Sequence, residues 1–446
     1  MFEYIHLKNF RSFKDITMNL LDKQGNLKKL IVLFGANGSG KTNLISAFAM
    51  LANSLRTMQL YAVIQAVLAG GTGCLSGDEL NENIKTGYQD MESLIRKNKM
   101  PGSEEPMLLE FGFRLAGKSG RYLFETDNTG IIHERLEYTL SKNRGVYFDI
   151  TPEQIFLNTK VFPDKLIYEE LKEEAQKLRG RHLLTSILLN KINNGVEYFP
   201  AGSVSENLLQ ALQFFSGIAV SSDSCNIFTD KKILSDYEHG EIPPDSEYLL
   251  NESEDLLNKV LKLISKNTDE AYYFRQADER KINYQLIIRN KADGKSCEIP
   301  YYMAPSGIRE FLHILPYITA GTSGHTAAID DFGSKIHDIT LNRLIESTYS
   351  SLQSAFSGQI FITTHKTSLL EASLPRESIY TLAEDPDGTK KAACITQYDP
   401  KIHRDANVRK QYLEGKYLGI PENLSAQPAA DGNAASYAIH PTSISS

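Results

Sequence analysis

The first sixty residues alternate between apolar runs and a polar, glycine-rich interruption. The run over residues 30–34 is entirely apolar, which predicts a strand. The chain then passes through a glycine-rich loop, and residues 43–52 combine good helix formers with apolar side chains on most turns. Because this helix is apolar nearly all round, we expect it to be buried against a sheet. The pattern therefore predicts a strand, a tight loop and a buried helix in direct succession.

Farther along the chain the spacing of apolar residues changes. Residues 107–150 carry apolar and aromatic runs separated by glycines, which predicts a meander of antiparallel strands. Residues 151 to about 270 are mostly helical in pattern, and a strand pair follows near 282–288 and 296–302. Residues 306–420 alternate helix and strand as α/β proteins do.

Composition narrows the class of protein. The chain has 446 residues and a net charge of −7, so a main role in coating nucleic acid, which needs a cationic face, is disfavoured. Its four cysteines lie far apart, which argues against a disulfide scaffold and against a cysteine-based metal site. No apolar run has the length of a membrane span, and the first residues lack the pattern of a signal peptide. We therefore expect a soluble, cytoplasmic protein.

The loop after the first strand fits the pattern G-x-x-x-x-G-K-[ST] at every position. Its residues are Gly35, Ala36, Asn37, Gly38, Ser39, Gly40, Lys41 and Thr42. Glycines let successive N–H groups converge on phosphate oxygens, and the loop opens at a helix N-terminus whose dipole favours anions. Lys41 brings positive charge to the β- and γ-phosphates, and the Thr42 hydroxyl suits Mg²⁺. A chance glycine turn would lack the flanking strand and helix, so we predict a nucleotide-binding site.

A magnesium nucleotide also needs a carboxylate. The best candidates are Asp330 and Asp331, which follow the apolar run 326–329. At the end of a strand, Asp330 would hold Mg²⁺ through water, and Asp331 would polarise the attacking water. The same pattern fits an ordinary strand-to-turn pair of acids. Asp331 is also one methylene shorter than the Glu usual in this role, which could slow hydrolysis.

His365 ends a second buried strand, which begins at Gln359. Two neighbouring parallel strands would bring Asp330 and His365 to the same carboxyl edge of a sheet, beside the phosphate loop. There His365 could contact the γ-phosphate. A histidine at a strand end is by itself more often a structural hydrogen-bonding group, and the neighbouring motifs favour the functional interpretation.

A Ser-Gly pair, Ser306 and Gly307, stands just before the helical segment 310–315. Ser306 can cap this helix and leave free N–H groups pointing outward. In isolation the pair would be no more than a cap.

Together these motifs resemble the ABC-type ATPase heads of the SMC, RecF and OLD-like clade. The segment Lys8-Asn9-Phe10-Arg11-Ser12-Phe13 and the phosphate loop, continued by Asn43, are similar to that clade's first strand and Walker A motif. The resemblance implies an α/β P-loop NTPase of ABC-ATPase type, with a mixed sheet, an antiparallel β subdomain and an inserted helical module. It also implies that the chain binds ATP with Mg²⁺ and hydrolyses it.

The same resemblance assigns roles to single residues. Asp330 and Asp331 take the positions of the Walker B and catalytic acids, and His365 that of the switch histidine. Ser306 and Gly307 would be the signature that completes a partner subunit's ATP site, so that ATP joins two copies of the chain. The signature lacks the fuller Ser-Gly-Gly form, and the glutamine that follows an early strand in these heads has no evident counterpart.

The resemblance also predicts how the chain is divided. Residues 1–150 form the N-terminal lobe of the ATPase head, 151–281 a helical insertion, and 282–421 the C-terminal lobe. Residues 422–446, rich in Ala, Ser, Asn and Pro, are expected to be a disordered tail. One discontinuous head replaces the three units that length alone suggests.

The segment 407–421 is similar to the ATPase subunits of bacterial abortive-infection systems, whose gene neighbour encodes the effector, often a TOPRIM-like nuclease. This resemblance implies a regulatory ATPase that controls a separately encoded toxin in antiviral defence. The chain after His365 is expected to be too short for an appended TOPRIM-like domain. The alternatives are a RecF-like ATPase that acts directly on DNA, a nucleotide-binding scaffold with negligible turnover and, least favoured, a transporter subunit.

Overall fold

Alternating side chains sort much of the chain into two hydrophobic cores, one on each side of a parallel sheet. The computed structural model describes residues 1–68, 89–193, 199–200, 202–223, 225–228, 232–265, 268–292, 295–354, 357–384, 388–399 and 406–420. The strands are β1 (Phe2–Phe10), β2 (Phe13–Asn19), β3 (Leu30–Gly35), β4 (Met107–Leu115), β5 (Lys118–Thr126), β6 (Ile131–Thr139), β7 (Arg144–Ile150), β8 (Ile155–Leu157), β9 (Ile218–Ser222), β10 (Cys225–Ile227), β11 (His239–Ile242), β12 (Thr268–Ala277), β13 (Ile282–Ala292), β14 (Lys295–Pro300), β15 (Thr326–Ile329), β16 (Gln359–Thr363), β17 (Ile379–Glu384) and β18 (Lys390–Cys394).

The helices connect and cover these strands. They are α1 (Lys41–Ser54), α2 (Thr57–Leu68), α3 (Met91–Asn98), α4 (Lys165–Leu178), α5 (Leu184–Asn193), α6 (Glu206–Ser216), α7 (Tyr248–Ile264), α8 (Ser306–Thr322), α9 (Asp338–Ser351), α10 (Ile395–Tyr398) and α11 (Val408–Leu413). Short 3₁₀ turns cover Pro244–Ser246, Tyr301–Met303, Thr367–Glu371 and Arg376–Ser378.

Seven strands form an antiparallel sheet in the order β2-β1-β4-β5-β6-β7-β8. The strands β4 to β7 pair as consecutive hairpins, which confirms the meander predicted for residues 107–150. Period-two alternation gives the sheet one buried face: Leu136 and Tyr138 of β6 are buried, whereas Arg135 and Glu137 between them are partly exposed. This buried face shares a core with α1.

The second sheet has the order β10-β9-β15-β16-β3-β17-β18. Its five central strands, β9 to β17 in this order, are parallel, and each edge strand is antiparallel to its neighbour. The strand β3, which leads into the phosphate loop, therefore lies between β16 and β17. In a parallel sheet of this kind ligands bind at the carboxyl edge of the strands.

Helices cover both faces of the parallel sheet. Ile31 and Leu33 of β3 belong to the core that contains α1, whereas Val32 and Phe34 belong to the core that contains α8 and α9. The prediction that the first helix is buried is confirmed, because every residue of α1 except Thr42 and Asn43 is buried. The phosphate loop is thus fixed between a buried strand and a buried helix.

The segment 151–281 is not a helical module alone. It contributes α4 to α7, but β9 within it pairs in parallel with β15 and so completes the ATPase sheet. A third, antiparallel sheet also begins here, in the order β11-β13-β12, with β14 paired to β13. The five apolar and small residues of β9 follow directly on α6, and a run this short does not distinguish a strand from a helix by its period.

The C-terminal segment packs under the phosphate-loop strand. Tyr412 of α11 has its ring centroid 6.0 Å from that of Phe34, and the Thr381 hydroxyl donates to the Tyr417 carbonyl at 2.8 Å. The tail predicted for residues 422–446 lies outside the described residues. Among the described helices, none combines the length and the apolar character that a membrane crossing requires.

Candidate functional site

The parallel sheet brings the sequence-predicted residues to one edge. The register pairs Ile329 of β15 with Ile362 of β16, and Thr363 of β16 with Leu33 of β3. Asp330, His365 and the phosphate loop each follow directly on the carboxyl end of one of these three strands. Groups near the two ends of the chain therefore meet at a single site.

Glycine conformations shape the phosphate loop. Gly38 and Gly40 have φ of +82° and +108°, a region that L side chains rarely adopt. A Cβ on Gly40 would also come within 2.7 Å of the Phe13 ring. The Ser39 N–H donates to the Ala36 carbonyl at 3.2 Å and closes a turn. The loop's glycines are therefore required by conformation and, at Gly40, by close packing.

Lys41 is held under the loop. Its Nζ donates to the carbonyl oxygens of Gly35 and Ala36 at 2.6 and 2.9 Å, and the residue is only 6% exposed. Burial lowers the pKa of Lys41 to about 8, while Asp330 and Asp331 act in the opposite direction. A buried ammonium with two neutral acceptors is an incompletely compensated charge, which an anion would stabilise.

One threonine positions the two acids. The Thr363 hydroxyl donates to Asp330 Oδ1 and accepts from the Asp331 backbone N–H at 2.9 Å. Asp331 has φ of +47°, a conformation that aspartate tolerates better than most residues. The turn thus gives two consecutive carboxylates different environments, with only Asp330 bonded to the threonine hydroxyl.

His365 lies in the same electrostatic field. Burial and, next, the Lys41 ammonium lower its pKa below the usual value, and Asp331 and Asp330 oppose that shift. A lowered pKa keeps the imidazole neutral at neutral pH, so one ring nitrogen can accept and the other donate a hydrogen bond. The structure therefore gathers Lys41, Asp330, Asp331 and His365 into one interacting group.

A sequence profile for an AAA ATPase domain matches residues 1–370, well over half of the chain. The chain belongs to this AAA ATPase family. Among solved structures it is similar to "SMC head domain from Thermotoga maritima", with 11% identity, a TM-score of 0.39, and coverage of 88% of this chain and 98% of that one. No curated protein matches it in sequence. The α/β P-loop fold with a mixed sheet and an antiparallel subdomain, predicted from the sequence, is confirmed.

The donor groups of this AAA ATPase suit a magnesium nucleotide. The Ser39 Oγ is buried and has no hydrogen-bond partner among the described residues, so a phosphate oxygen would satisfy it. Thr42 lies exposed in the first turn of α1, and the Asp330 carboxylate is fixed by Thr363. Hydroxyl and carboxylate oxygens are the ligands that Mg²⁺ prefers. The residues present therefore fit both ATP and the metal.

The Ser-Gly pair lies elsewhere. Ser306 and Gly307 begin α8, which covers the face of the parallel sheet opposite α1. The expectation that Ser306 caps this helix is wrong: Pro305 occupies the cap position, its carbonyl accepts from the N–H groups of Ile308 and Arg309, and Ser306 is the first helical residue. Ser306 is exposed, so its hydroxyl faces solvent rather than the chain's own loop.

The helix that begins at this Ser-Gly pair is bonded to the segment that follows the two acids. The Glu310 carboxylate accepts from the Lys335 N–H at 2.6 Å, a few residues after Asp331. A Cβ on Gly307 would come within 3.0 Å of the Lys335 carbonyl, which explains the glycine there. The start of α8 therefore packs against the segment that follows Asp331.

Two basic residues near the site were missed by sequence reasoning. Arg11 lies in the turn between β1 and β2 and has φ of +49°. Burial lowers the pKa of Arg11, and the negative charge of Asp330 opposes that shift. Lys390 of β18 donates to the Gly38 carbonyl of the phosphate loop. Lys390 belongs to no local motif, so the sequence offers no signal for it. Arg11 lies in the segment Lys8–Phe13 that carries the family resemblance, but that resemblance assigns it no contact with the site.

Proposed function

We propose that this AAA ATPase binds ATP with Mg²⁺ between two copies of the chain, hydrolyses it slowly, and so controls a separately encoded effector. The observation that carries the ATPase part is the grouping of Lys41, Asp330, Asp331 and His365 at one sheet edge. Asp330 and Asp331 follow β15, His365 follows β16, and Lys41 begins the helix after the phosphate loop. Such a grouping provides charge stabilisation and positioning, which dominate phosphoryl-transfer catalysis.

The chemistry is divided among the side chains. The phosphate loop and Lys41 bind the β- and γ-phosphates, with Thr42 and Asp330 as the oxygen donors for Mg²⁺, which when bound neutralises phosphate charge. Asp331 accepts a proton from the attacking water, and neutral His365 donates a hydrogen bond to the γ-phosphate. Asp331 is short for this role, and we expect slow turnover, which suits a timed switch rather than a motor.

The placement of the signature supports dimerisation. Ser306 is exposed on the face opposite α1, while its helix is bonded through Glu310 to the loop after Asp331. A second copy that presents Ser306 and Gly307 to the first copy's nucleotide would complete the site. ATP would then be part of the interface, and hydrolysis would release it.

Two features support an effector protein as the output. The net charge of −7 disfavours a nucleic-acid surface as the main partner. The segment 407–420, which resembles abortive-infection ATPases, is ordered and packs under the phosphate-loop strand. Antiviral defence through a toxin such as a TOPRIM-like nuclease is the role this combination favours.

Sedimentation velocity tests the switch. With ATP and Mg²⁺, Asp331→Asn should bind nucleotide, retain it and sediment as a dimer, whereas Lys41→Ala should stay monomeric. A monomer under all conditions, with nucleotide bound, would contradict the proposal.

A nuclease assay of the purified chain tests the separate effector. We expect no cleavage of DNA or RNA by this protein alone. Robust Mg²⁺-dependent cleavage that is lost in Asp330→Ala would show that the chain is its own effector. Tight, salt-sensitive and ATP-dependent DNA binding would favour the RecF-like alternative instead.

A further inference from the structure

A second lysine reaches the phosphate loop from the far edge of the parallel sheet. Lys390 is the first residue of β18, and it pairs with Glu384 at the end of β17. The strand β17 in turn pairs with β3, with Leu382 opposite Gly35. Lys390 thus stands at the same sheet edge as the acids, but on the other side of the phosphate loop.

Its contacts are specific. The Lys390 Nζ donates to the Gly38 carbonyl at 2.5 Å and lies 3.5 Å from Glu384 Oε2. Lys390 is 9% exposed, whereas Gly38 is exposed and its backbone has open space on the side where a Cβ would stand. A largely buried lysine therefore holds an exposed peptide of the loop.

The contact from Lys390 matters because Gly38 is conformationally free. Gly38 and Gly40 are glycines at positive φ, and glycine loses more freedom on ordering than any other residue. Packing fixes Gly40 against the Phe13 ring, but none of the described side chains lies within 4 Å of the position that a Cβ on Gly38 would take. The bond from Lys390 adds to the Ser39–Ala36 backbone bond in tying down this part of the turn, and the Ser39 hydroxyl that follows is buried without a hydrogen-bond partner among the described residues.

We infer that Lys390 is a positioning residue that preorganises the phosphate loop for the diphosphate common to ADP and ATP. The inference rests on the proposed nucleotide site and deepens it. A loop ordered in advance loses less entropy on binding, so removal of the anchor weakens binding. Asp331 and His365, which the proposed function assigns to the γ-phosphate, follow strands on the other side of the loop from Lys390, so ADP and ATP should lose affinity equally.

The test compares Lys390→Met with Lys390→Arg and with Lys391→Met. Methionine keeps the aliphatic stem, arginine keeps the charge, and Lys391 is the exposed neighbour on the same strand. In calorimetric titrations Lys390→Met should bind ADP and ATP each about tenfold more weakly. Lys390→Arg should recover most of that loss, and Lys391→Met should bind like the wild type.

Steady-state kinetics separate positioning from a structural role. Lys390→Met should raise KM about tenfold and leave kcat within about twofold, because the groups around the γ-phosphate are unchanged. Unchanged nucleotide affinity in Lys390→Met, or a loss confined to ATP, would overturn the inference while leaving the proposed function intact. Failure of the wild type to bind either nucleotide would instead overturn the proposed function.

Discussion

Two buried polar regions of the molecule differ in how completely their groups are paired. In the antiparallel sheet, the fully buried Glu134 accepts from the hydroxyls of Tyr122 and Thr185, and from the N–H groups of Leu184 and Thr185. At the phosphate loop, the Ser39 hydroxyl has no hydrogen-bond partner among the described residues, and Lys41 Nζ donates there to two neutral carbonyls. The Glu134 carboxylate is satisfied by protein groups, whereas the groups at the phosphate loop would be completed by an anion.

The difference follows from the cost of burying polar groups. Burial raises the pKa of Glu134, and four hydrogen bonds from protein groups oppose that shift, so the carboxylate serves to join β6 to the start of α5. An unsatisfied buried group costs about 1–3 kcal/mol, and a protein retains such groups where a ligand completes them. Other buried side chains, such as Thr126 in the antiparallel sheet, also lack a partner among the described residues. The phosphate loop is distinguished because the unpaired Ser39 hydroxyl and the buried Lys41 ammonium coincide with the nucleotide motif.

The largest expected effect is on turnover. Asp331→Asn should lower kcat about 1000-fold, because the amide cannot accept the proton of the attacking water. Asparagine tolerates the positive φ at this position, so the melting temperature should change little. Rapid-quench assays with labelled ATP, alongside thermal melts, measure both. Wild-type turnover in this variant would remove Asp331 from the catalytic group.

The complementary change is in the other region. Glu134→Ala should lower the free energy of unfolding by about 3 kcal/mol, because it leaves several buried donors without an acceptor. Nucleotide affinity should stay at the wild-type value, since Glu134 lies in the other sheet. Glu137→Ala, on the same strand but in a partly exposed ion-pair network, is the matched control and should cost under about 1 kcal/mol. Equal destabilisation by the two variants would break the comparison.

Lys41→Ala should weaken nucleotide binding and leave stability unchanged, which is the reverse of the effect expected for Glu134→Ala. We expect about a 50-fold loss of ATP affinity, because a buried cation next to the phosphates is removed. Stability should not fall, since burial already disfavours the charged form of this lysine. Isothermal titration and chemical denaturation give the two values. A large loss of stability would mean that Lys41 is structural.

The smallest effect concerns Glu238, a half-buried acid before β11. Burial and the Asp236 charge raise its pKa to about 7, and Arg309 of α8 partly opposes this. A raised carboxyl pKa means that the folded state holds the proton between about pH 4.5 and 7, so stability falls as the pH rises through that window. Glu238→Gln should therefore add about 1 kcal/mol at pH 8 after solvent screening, and clearly less at pH 5. Melts at the two pH values check this, and a gain that does not depend on pH would contradict it.

Local patterns predict the elements that carry the chemistry. The apolar run before Gly35, the buried helix after Thr42 and the strand ends at Asp330 and His365 follow from period and spacing. These features are readable because a parallel sheet places the carboxyl ends of its strands on one edge, whatever the distance along the chain.

What the sequence does not reveal depends on tertiary packing. The strand β9 is five residues long and directly follows a helix, so its period is ambiguous and its place in the sheet is set by pairing with β15. Lys390 and Arg11 approach the site from neighbouring hairpins, and only the folded arrangement shows which charges they meet. The Glu134 carboxylate has hydrogen-bond partners and the Ser39 hydroxyl has none among the described residues, and this difference is likewise visible only in the folded structure.

Mixing two inactive variants tests most directly the proposal that each ATP site is shared between two copies. Lys41→Ala and Ser306→Arg should each lack ATPase activity alone. In a mixed dimer one site keeps Lys41 from one copy and Ser306 from the other, so an equimolar mixture should recover about a quarter of wild-type turnover. A mixture that stays inactive, although both variants fold and the wild type turns over ATP, would contradict the shared site.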